Sequence, residues 1–126
     1  MGNRQRSFIK YDPVVFPVKL WVAEYDLDLF NKFNTIDGRE ISIDILGYSS
    51  GFTSPVLVNK RTGELGIVVI IMNKNAGSKT VAHEATHVSQ YLFEHIGEKE
   101  IGKEIAAYLV GWAADCITDF LIRKGK

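Results

Sequence analysis

The chain has 126 residues, 46% of them hydrophobic and 24% charged, and its 15 basic and 15 acidic side chains give a formal net charge of zero. This length indicates a single domain over residues 1–126, and a neutral chain lacks the strong field that draws proteins to nucleic acid or to an acidic membrane surface. The single cysteine, Cys116, excludes an internal disulfide framework.

The N-terminal segment, residues 1–12, is polar and predicted to be loose. It holds no apolar stretch of the kind that forms a signal peptide. The longest apolar run of the chain, Ile67–Met72, is too short to span a bilayer. We therefore predict a soluble protein without a membrane partner and, because no export signal is visible, a cytoplasmic location.

The first half of the chain predicts two strands and a short helix. Apolar residues alternate from Val14 to Val22, which is typical of a strand. Leu27, Phe30 and Phe33 then follow at helical spacing and predict a short helix over Asp26–Phe33. After a turn at Ile36–Arg39, alternation over Ile41–Ile45 predicts the second strand.

A hairpin follows. The segment from Gly47 to Ser54 is rich in glycine and serine and is predicted to be a loop. Pro55–Asn59 and Leu65–Met72 are predicted strands, joined by a turn at Lys60–Gly63 in which glycine suits a positive φ. The strand ending at Met72 is apolar on both faces, so we expect both faces to be covered.

Two long helices complete the chain. The first is predicted to begin near Ser78 or Thr80, either of which can cap it, and to end at Ile96, with an apolar stripe at helical spacing (Val81, Ala85, Val88, Leu92). The second is predicted over Lys99–Lys124. Strands followed by two helices indicate an α+β fold, in which a small, mostly antiparallel, twisted sheet packs on the two C-terminal helices.

The first long helix carries the sequence His-Glu-Ala-Thr-His at residues 83–87, which matches the pattern H-E-x-x-H. His83 and His87 are four residues apart, so on a helix they project from one face and can bind one Zn²⁺. Glu84 lies at the edge of that face, where its carboxylate can hold a metal-bound water instead of binding the metal.

A catalytic zinc site needs a third protein ligand. Glu104, in the sequence Glu-Ile-Ala-Ala on the second helix, is the candidate, because two antiparallel helices joined near Gly97 would bring it back toward the histidines. Ala107 and Gly111 continue from Glu104 as a stripe of small residues. We expect this stripe to let the two helix backbones approach closely.

H-E-x-x-H followed by E-x-x-A on the next helix resembles the gluzincin metallopeptidases, the thermolysin-like branch of the zincins, and in particular small zincin proteins encoded by phages and prophages. The resemblance covers roughly residues 66–120. It implies a minimal zincin-like metallopeptidase domain in which His83, His87 and Glu104 bind Zn²⁺ and Glu84 is the general base. The implied activity is hydrolysis of peptide bonds in a peptide or protein substrate.

The chain departs from the gluzincin pattern at Tyr108, where thermolysin-like enzymes carry an aspartate four residues after the third ligand. Asp115 is then the candidate for that supporting role. Tyr91, His95 and Tyr108 are the candidates for the donor that stabilises the oxyanion. Two alternatives stay open: a zinc-binding module with a structural or protein-binding role, and a latent peptidase with an occluded cleft. The oligomeric state is also open.

Overall fold

The structure is a computed structural model that describes residues 8–13, 16–25, 29–41, 51–72, 76–96 and 103–124, without the side chains at 8, 103, 104 and 124. Its elements follow the predicted order of strands and then helices. The strands are β1 (Phe8–Tyr11), β2 (Lys19–Glu24), β3 (Phe33–Thr35), β4 (Gly51–Thr53), β5 (Leu57–Asn59) and β6 (Leu65–Ile71), and the helices are α1 (Ser78–Ile96) and α2 (Lys103–Lys124).

The described strands form one mixed sheet with the order β1-β2-β6-β5-β3, and β4 pairs with β6 beyond the end of β5. β2 and β6 are parallel, with Val22 beside Val69, whereas the other strand pairs are antiparallel. The fold is therefore α+β, as predicted, and its sheet is mixed because the central pair of strands is parallel.

The two central strands are apolar on both faces, and both faces are covered, as predicted for β6. Leu20, Val22, Ile67, Val69 and Ile71 point to one face, where they form a core with α1 and α2. The alternate residues form a second core on the opposite face, against the chain around Leu29 and Phe33, and its strand members are Trp21, Ala23, Leu57, Val68 and Ile70. Because side chains of a strand alternate between faces, β6 contributes to both cores.

Trp21 packs closely over Gly66 in the second core. The Trp21 ring lies over Gly66 on the neighbouring strand, and a Cβ atom added to Gly66 would stand 2.0 Å from Cζ3 of the ring. The same ring packs against Phe33, with ring centroids 5.2 Å apart. Glycine is therefore required at position 66 for space.

The helices α1 and α2 cover one face of the sheet. The predicted stripe of α1 is confirmed, since Val81, Ala85, Val88 and Leu92 are all buried. Among the described residues, the one segment long and apolar enough to cross a membrane is Ile105–Arg123, but its Leu109, Ala113, Cys116, Ile117 and Phe120 are buried in the core. One face of α2 therefore packs into the core, whereas Ile105, Tyr108 and Ile122 of the same helix are exposed.

Several local predictions were wrong, two of them because strand pairing overrides the local pattern. Residues 8–11, predicted to be loose, form β1 by pairing with β2, and residues 51–53, predicted to be a loop, form β4 by pairing with β6. The predicted helix ending at Phe33 is a short 3-10 helix over Leu29–Lys32 that leads into β3. Ser78 is the first residue of α1 instead of its cap, and Gly77 precedes it, with its carbonyl accepting from Val81 N–H.

The predicted turns at Gly38 and Gly63 are confirmed, with φ of 88° and 77°. Both positions lie in the left-handed region that favours glycine. Residues 42–45 of the predicted strand Ile41–Ile45, residues 26–28 and residues 99–102 lie outside the described residues.

Candidate metal and catalytic site

The H-E-x-x-H sequence lies in the first half of α1, and its two histidines are on a different face from its buried Ala85. The stripe that begins at Val81 turns toward the core, so the histidines, two and six positions further along the helix, point elsewhere. His83 is exposed and His87 is half-buried. The prediction that the two histidines share a face distinct from the apolar stripe is confirmed.

The two imidazole rings face each other. Nε2 of His83 and Nε2 of His87 are 3.2 Å apart, and the rings meet edge to face, with centroids 4.7 Å apart. Two nitrogens that bind one tetrahedral zinc ion at about 2.0–2.1 Å lie roughly 3.3 Å from each other. The separation of the two nitrogens therefore fits a shared zinc ion without a change of backbone.

Gln90 supports one of these rings. Nδ1 of His87 lies 3.0 Å from Oε1 of Gln90. Because an amide oxygen only accepts hydrogen bonds, His87 must donate from Nδ1 and keep its lone pair on Nε2. Metal-binding histidines are commonly held by such a contact at the second ring nitrogen, which fixes the tautomer and the ring orientation.

The Glu84 side chain is directed toward β4. The residue is 5% exposed, and Thr53 donates a hydrogen bond from Oγ1 to Glu84 Oε1 at 2.6 Å. The side chain also lies against Gly51, where an added Cβ would stand 3.1 Å from Glu84 Cγ and 3.2 Å from Oε2. The predicted general base is thus held between the helix and a short strand.

Of the three candidate oxyanion donors, Tyr91 has a ring contact with the histidine pair. Its ring centroid is 6.2 Å from that of His87, one turn away on α1. His95 is eight residues beyond His87, about 12 Å along the helix. Tyr108 stands on α2 and is 69% exposed. Among the described residues, Tyr91 is therefore the candidate donor whose contact with a predicted metal ligand is established.

The third metal ligand stays a prediction. Among the residues that the structure describes, no additional histidine, cysteine, aspartate or glutamate joins His83 and His87 closely enough to form a metal site. The side chain of Glu104 lies outside the described part of the chain. The predicted close helix contact at the small stripe is wrong at Gly111, because Gly111 and Ala107 are exposed and nothing lies within 4 Å of an added Gly111 Cβ.

The way in which α1 and α2 pack together determines whether Glu104, the predicted third ligand, can reach the histidine pair. Ser78 and Ala82 near the start of α1 and Thr118 and Ile122 near the end of α2 line the same groove, so the helices are antiparallel. Glu104 stands near the start of α2 and therefore lies toward the end of α1. Glu104 therefore rests on the family resemblance.

Three residues of this site were not predicted from the sequence. Gln90 stands three positions after His87, a helical spacing that could have identified it. Thr53 and Gly51 lie in a segment predicted to be a loop and meet Glu84 only through the pairing of β4 with β6. No local signal in the sequence connects them with the motif.

Comparison with known proteins adds no relative to this description. No protein-family model, curated protein or solved structure matches the chain.

Proposed function

We propose that this protein is a zinc-dependent metallopeptidase of gluzincin type. His83 and His87 bind the metal, Glu104 is the predicted third ligand, and Glu84 is the general base. A peptide or protein is the substrate. The zincin-like fold and the cytoplasmic location belong to the same proposal, whose starting point is the resemblance of residues 83–87 and 104–107 to the gluzincin pattern.

The observation that carries the proposal is the geometry of the histidine pair. The 3.2 Å separation of the two Nε2 atoms suits two ligands of one zinc ion, and the Gln90 contact at Nδ1 keeps His87 Nε2 directed toward His83, where zinc would replace the hydrogen bond between the two rings.

Zinc, when bound, would supply Lewis-acid chemistry, which polarises the scissile carbonyl and makes a water molecule acidic near neutral pH. Glu84 would take a proton from the attacking water as the new carbon–oxygen bond forms. It would then pass that proton to the amine nitrogen as the carbon–nitrogen bond breaks. Tyr91, which has a ring contact with His87, is the described candidate for a donor to the oxyanion.

A second candidate function is a zinc-binding module without peptidase activity. The burial of Glu84 and its hydrogen bond to Thr53 favour this candidate, because a buried carboxylate with this bond can have the structural role of holding α1 against β4. In that case the metal would stabilise the fold or a protein interface, as in a structural protein of a phage or prophage.

The two candidates are separated by substitution of Glu84 in zinc-loaded protein. A peptidase should bind one zinc ion per chain and cleave a pool of denatured proteins, and Glu84→Gln should keep the zinc but lose at least about 100-fold in cleavage rate. Equal rates for the wild type and Glu84→Gln, with zinc retained by both, would contradict the peptidase and support the binding module.

The helix provides matched controls for this experiment. Glu94→Gln makes the same chemical change at an exposed position of α1 and should leave cleavage unchanged. For the third ligand, Glu104→Ala should lower zinc affinity, and Asp115→Asn is its comparator because Asp115 is another acidic residue of α2. Loss of zinc affinity in Asp115→Asn alone would show that Glu104 is the wrong ligand.

A further inference from the structure

We propose that Thr53 is the residue that positions Glu84 for proton transfer, and that Gly51 provides the space this position requires. The inference rests on the proposed peptidase function and adds two residues of β4 to the site. They act through the Glu84 carboxylate, and neither is assigned a contact with the substrate or the metal.

The Thr53 hydroxyl is aimed at one carboxylate oxygen. Its distance to Glu84 Oε1 is 2.6 Å, whereas its distance to the Glu84 backbone carbonyl is 3.4 Å. A hydroxyl has one proton to donate, and the short contact identifies Oε1 as its acceptor. Both residues are 5% exposed, so water does not compete freely for this bond.

Because of the Thr53 hydrogen bond, the two carboxylate oxygens of Glu84 have different roles. Among the described residues, no donor reaches Oε2 within hydrogen-bond distance, and Oε2 lies beside the Cα of Gly51. Oε1 is therefore occupied as an anchor, and Oε2 is the oxygen left to accept the proton of a water. A carboxylate with one oxygen fixed cannot rotate freely about its last torsion, and its remaining lone pairs keep a constant direction.

The strand that holds Thr53 is itself fixed. Thr53 pairs with Val69 of β6. The next residue, Ser54, donates from its backbone N–H to Val68 O at 2.9 Å and accepts from Val68 N–H at its side-chain oxygen at 2.9 Å. Hydrogen bonds to the central strand β6 therefore fix β4, and the position of the Thr53 hydroxyl does not depend on a loop.

Gly51 limits the position of Glu84 from the other side. A Cβ atom there would meet Glu84 Cγ at 3.1 Å, Glu84 Oε2 at 3.2 Å and the Ile70 carbonyl oxygen at 3.2 Å. The Ile70 oxygen belongs to the backbone of β6, so the Glu84 side chain is the neighbour that gives way more easily. Alanine at position 51 would thus displace the carboxylate while leaving the Thr53 hydroxyl in place.

The test uses the full chain loaded with zinc and compares Thr53→Val, which keeps the shape, with Thr53→Ser, which keeps the hydroxyl. We expect Thr53→Val to lower kcat by about 10- to 100-fold with KM and zinc content unchanged, because a small misplacement of a catalytic group has effects of this size. Thr53→Ser should stay within about threefold of the wild type. Gly51→Ala should lower kcat as Thr53→Val does, and Gly77→Ala, where an added Cβ meets nothing within 4 Å, is its control.

A second readout does not depend on activity. In metal-free protein with ¹³C-labelled glutamate, the side-chain carboxylate resonance that disappears in Glu84→Gln should move in Thr53→Val and return in Thr53→Ser. Should Thr53→Val not fold, Gly51→Ala and Thr53→Ser still decide the matter through their opposite expected effects on kcat.

The outcomes separate this inference from the function on which it rests. A wild type no faster than Glu84→Gln would refute the peptidase and with it the positioning role. An active wild type with kcat unchanged in Thr53→Val and in Gly51→Ala would refute the positioning role alone. Thr53 would then serve only to hold β4 and α1 together through its hydrogen bond to Glu84.

Discussion

Nε2 of His83 and Nε2 of His87 lie 3.2 Å apart, and Nδ1 of His87 lies 3.0 Å from the side-chain oxygen of Gln90. The three residues stand on successive turns of α1, so a single helix builds the pair and one of its supports. A helix is a precise scaffold for such a site because its side chains keep fixed relative positions. The proposed metal site therefore depends on α1 for its geometry.

The first prediction concerns Gln90. Gln90→Ala removes the acceptor for His87 Nδ1–H, which leaves the ring free to rotate or to adopt the other tautomer. We expect zinc affinity to fall by about 10- to 100-fold, the usual effect of removing such a support. Competition with a chromophoric chelator measures it, with Glu94→Ala as the control on the same helix. An unchanged affinity would show that Gln90 does not orient the ligand.

A second prediction concerns Gly66 in the second core. Gly66→Ala would place a methyl group 2.0 Å from Trp21 Cζ3, so the buried ring must move. We expect a loss of about 3 kcal/mol in the free energy of unfolding, typical of severe overpacking. Urea denaturation measures it. If the clash is the cause, Trp21→Leu should cost less in the Gly66→Ala background than in the wild type, and additive effects of the two substitutions would contradict this account.

Gly111→Ala should have the opposite effect. Gly111 is exposed on α2, and an added Cβ meets nothing within 4 Å apart from the helix itself and the chain neighbours. Alanine has a higher helix propensity than glycine, so the free energy of unfolding should rise by up to about 1 kcal/mol. A destabilised Gly111→Ala variant would show that α1 approaches α2 at this position, as the stripe of small residues had suggested.

The fourth prediction concerns the pH dependence of stability. Tyr11 on β1 donates a hydrogen bond to Asp119 on α2 at 2.6 Å. Burial and this bond raise the pKa of Tyr11 above its usual value, while the Tyr11 hydroxyl, and then Arg123, lower the pKa of Asp119. The contribution of Asp119 is therefore present above its unfolded pKa of about 4 and lost below it, and that of Tyr11 is lost above about pH 10.

Tyr11→Phe should reduce the change in the free energy of unfolding with pH at both the acid and the alkaline end. At neutral pH it should lower the free energy of unfolding by about 1 kcal/mol, the value of an ordinary hydrogen bond, because Asp119 is close to solvent. Urea denaturation at a series of pH values from about 2 to 11 gives the profile. Profiles of equal shape for the wild type and Tyr11→Phe would show that this contact does not govern the pH dependence.

The parts of the fold that the sequence predicted are those with a strong local pattern. β6 is apolar on both faces because both faces are buried, and α1 has its apolar stripe because one side of it meets the sheet. Cys116 on α2 is buried, and burial, together with the nearby Asp115 and Asp119, raises the pKa of its thiol to about 12. Each of these features is readable within one element.

The features that were not predicted depend on contacts between distant parts of the chain. β1 and β4 are short and are strands because β2 and β6 pair with them. The parallel pairing of β2 with β6 joins segments more than forty residues apart. Thr53 reaches Glu84 across 31 residues. In the candidate site, the histidine pair followed from helical spacing, whereas the surroundings of Glu84 required the tertiary structure.

The most direct test of the account is a crystal structure of the zinc-soaked protein with diffraction data recorded above and below the zinc absorption edge. The account predicts one strong anomalous peak within about 2.0–2.1 Å of Nε2 of both His83 and His87, with the third protein ligand visible beside it. Crystals that show no peak between these two nitrogens, in protein soaked at zinc concentrations that saturate a catalytic site, would contradict it.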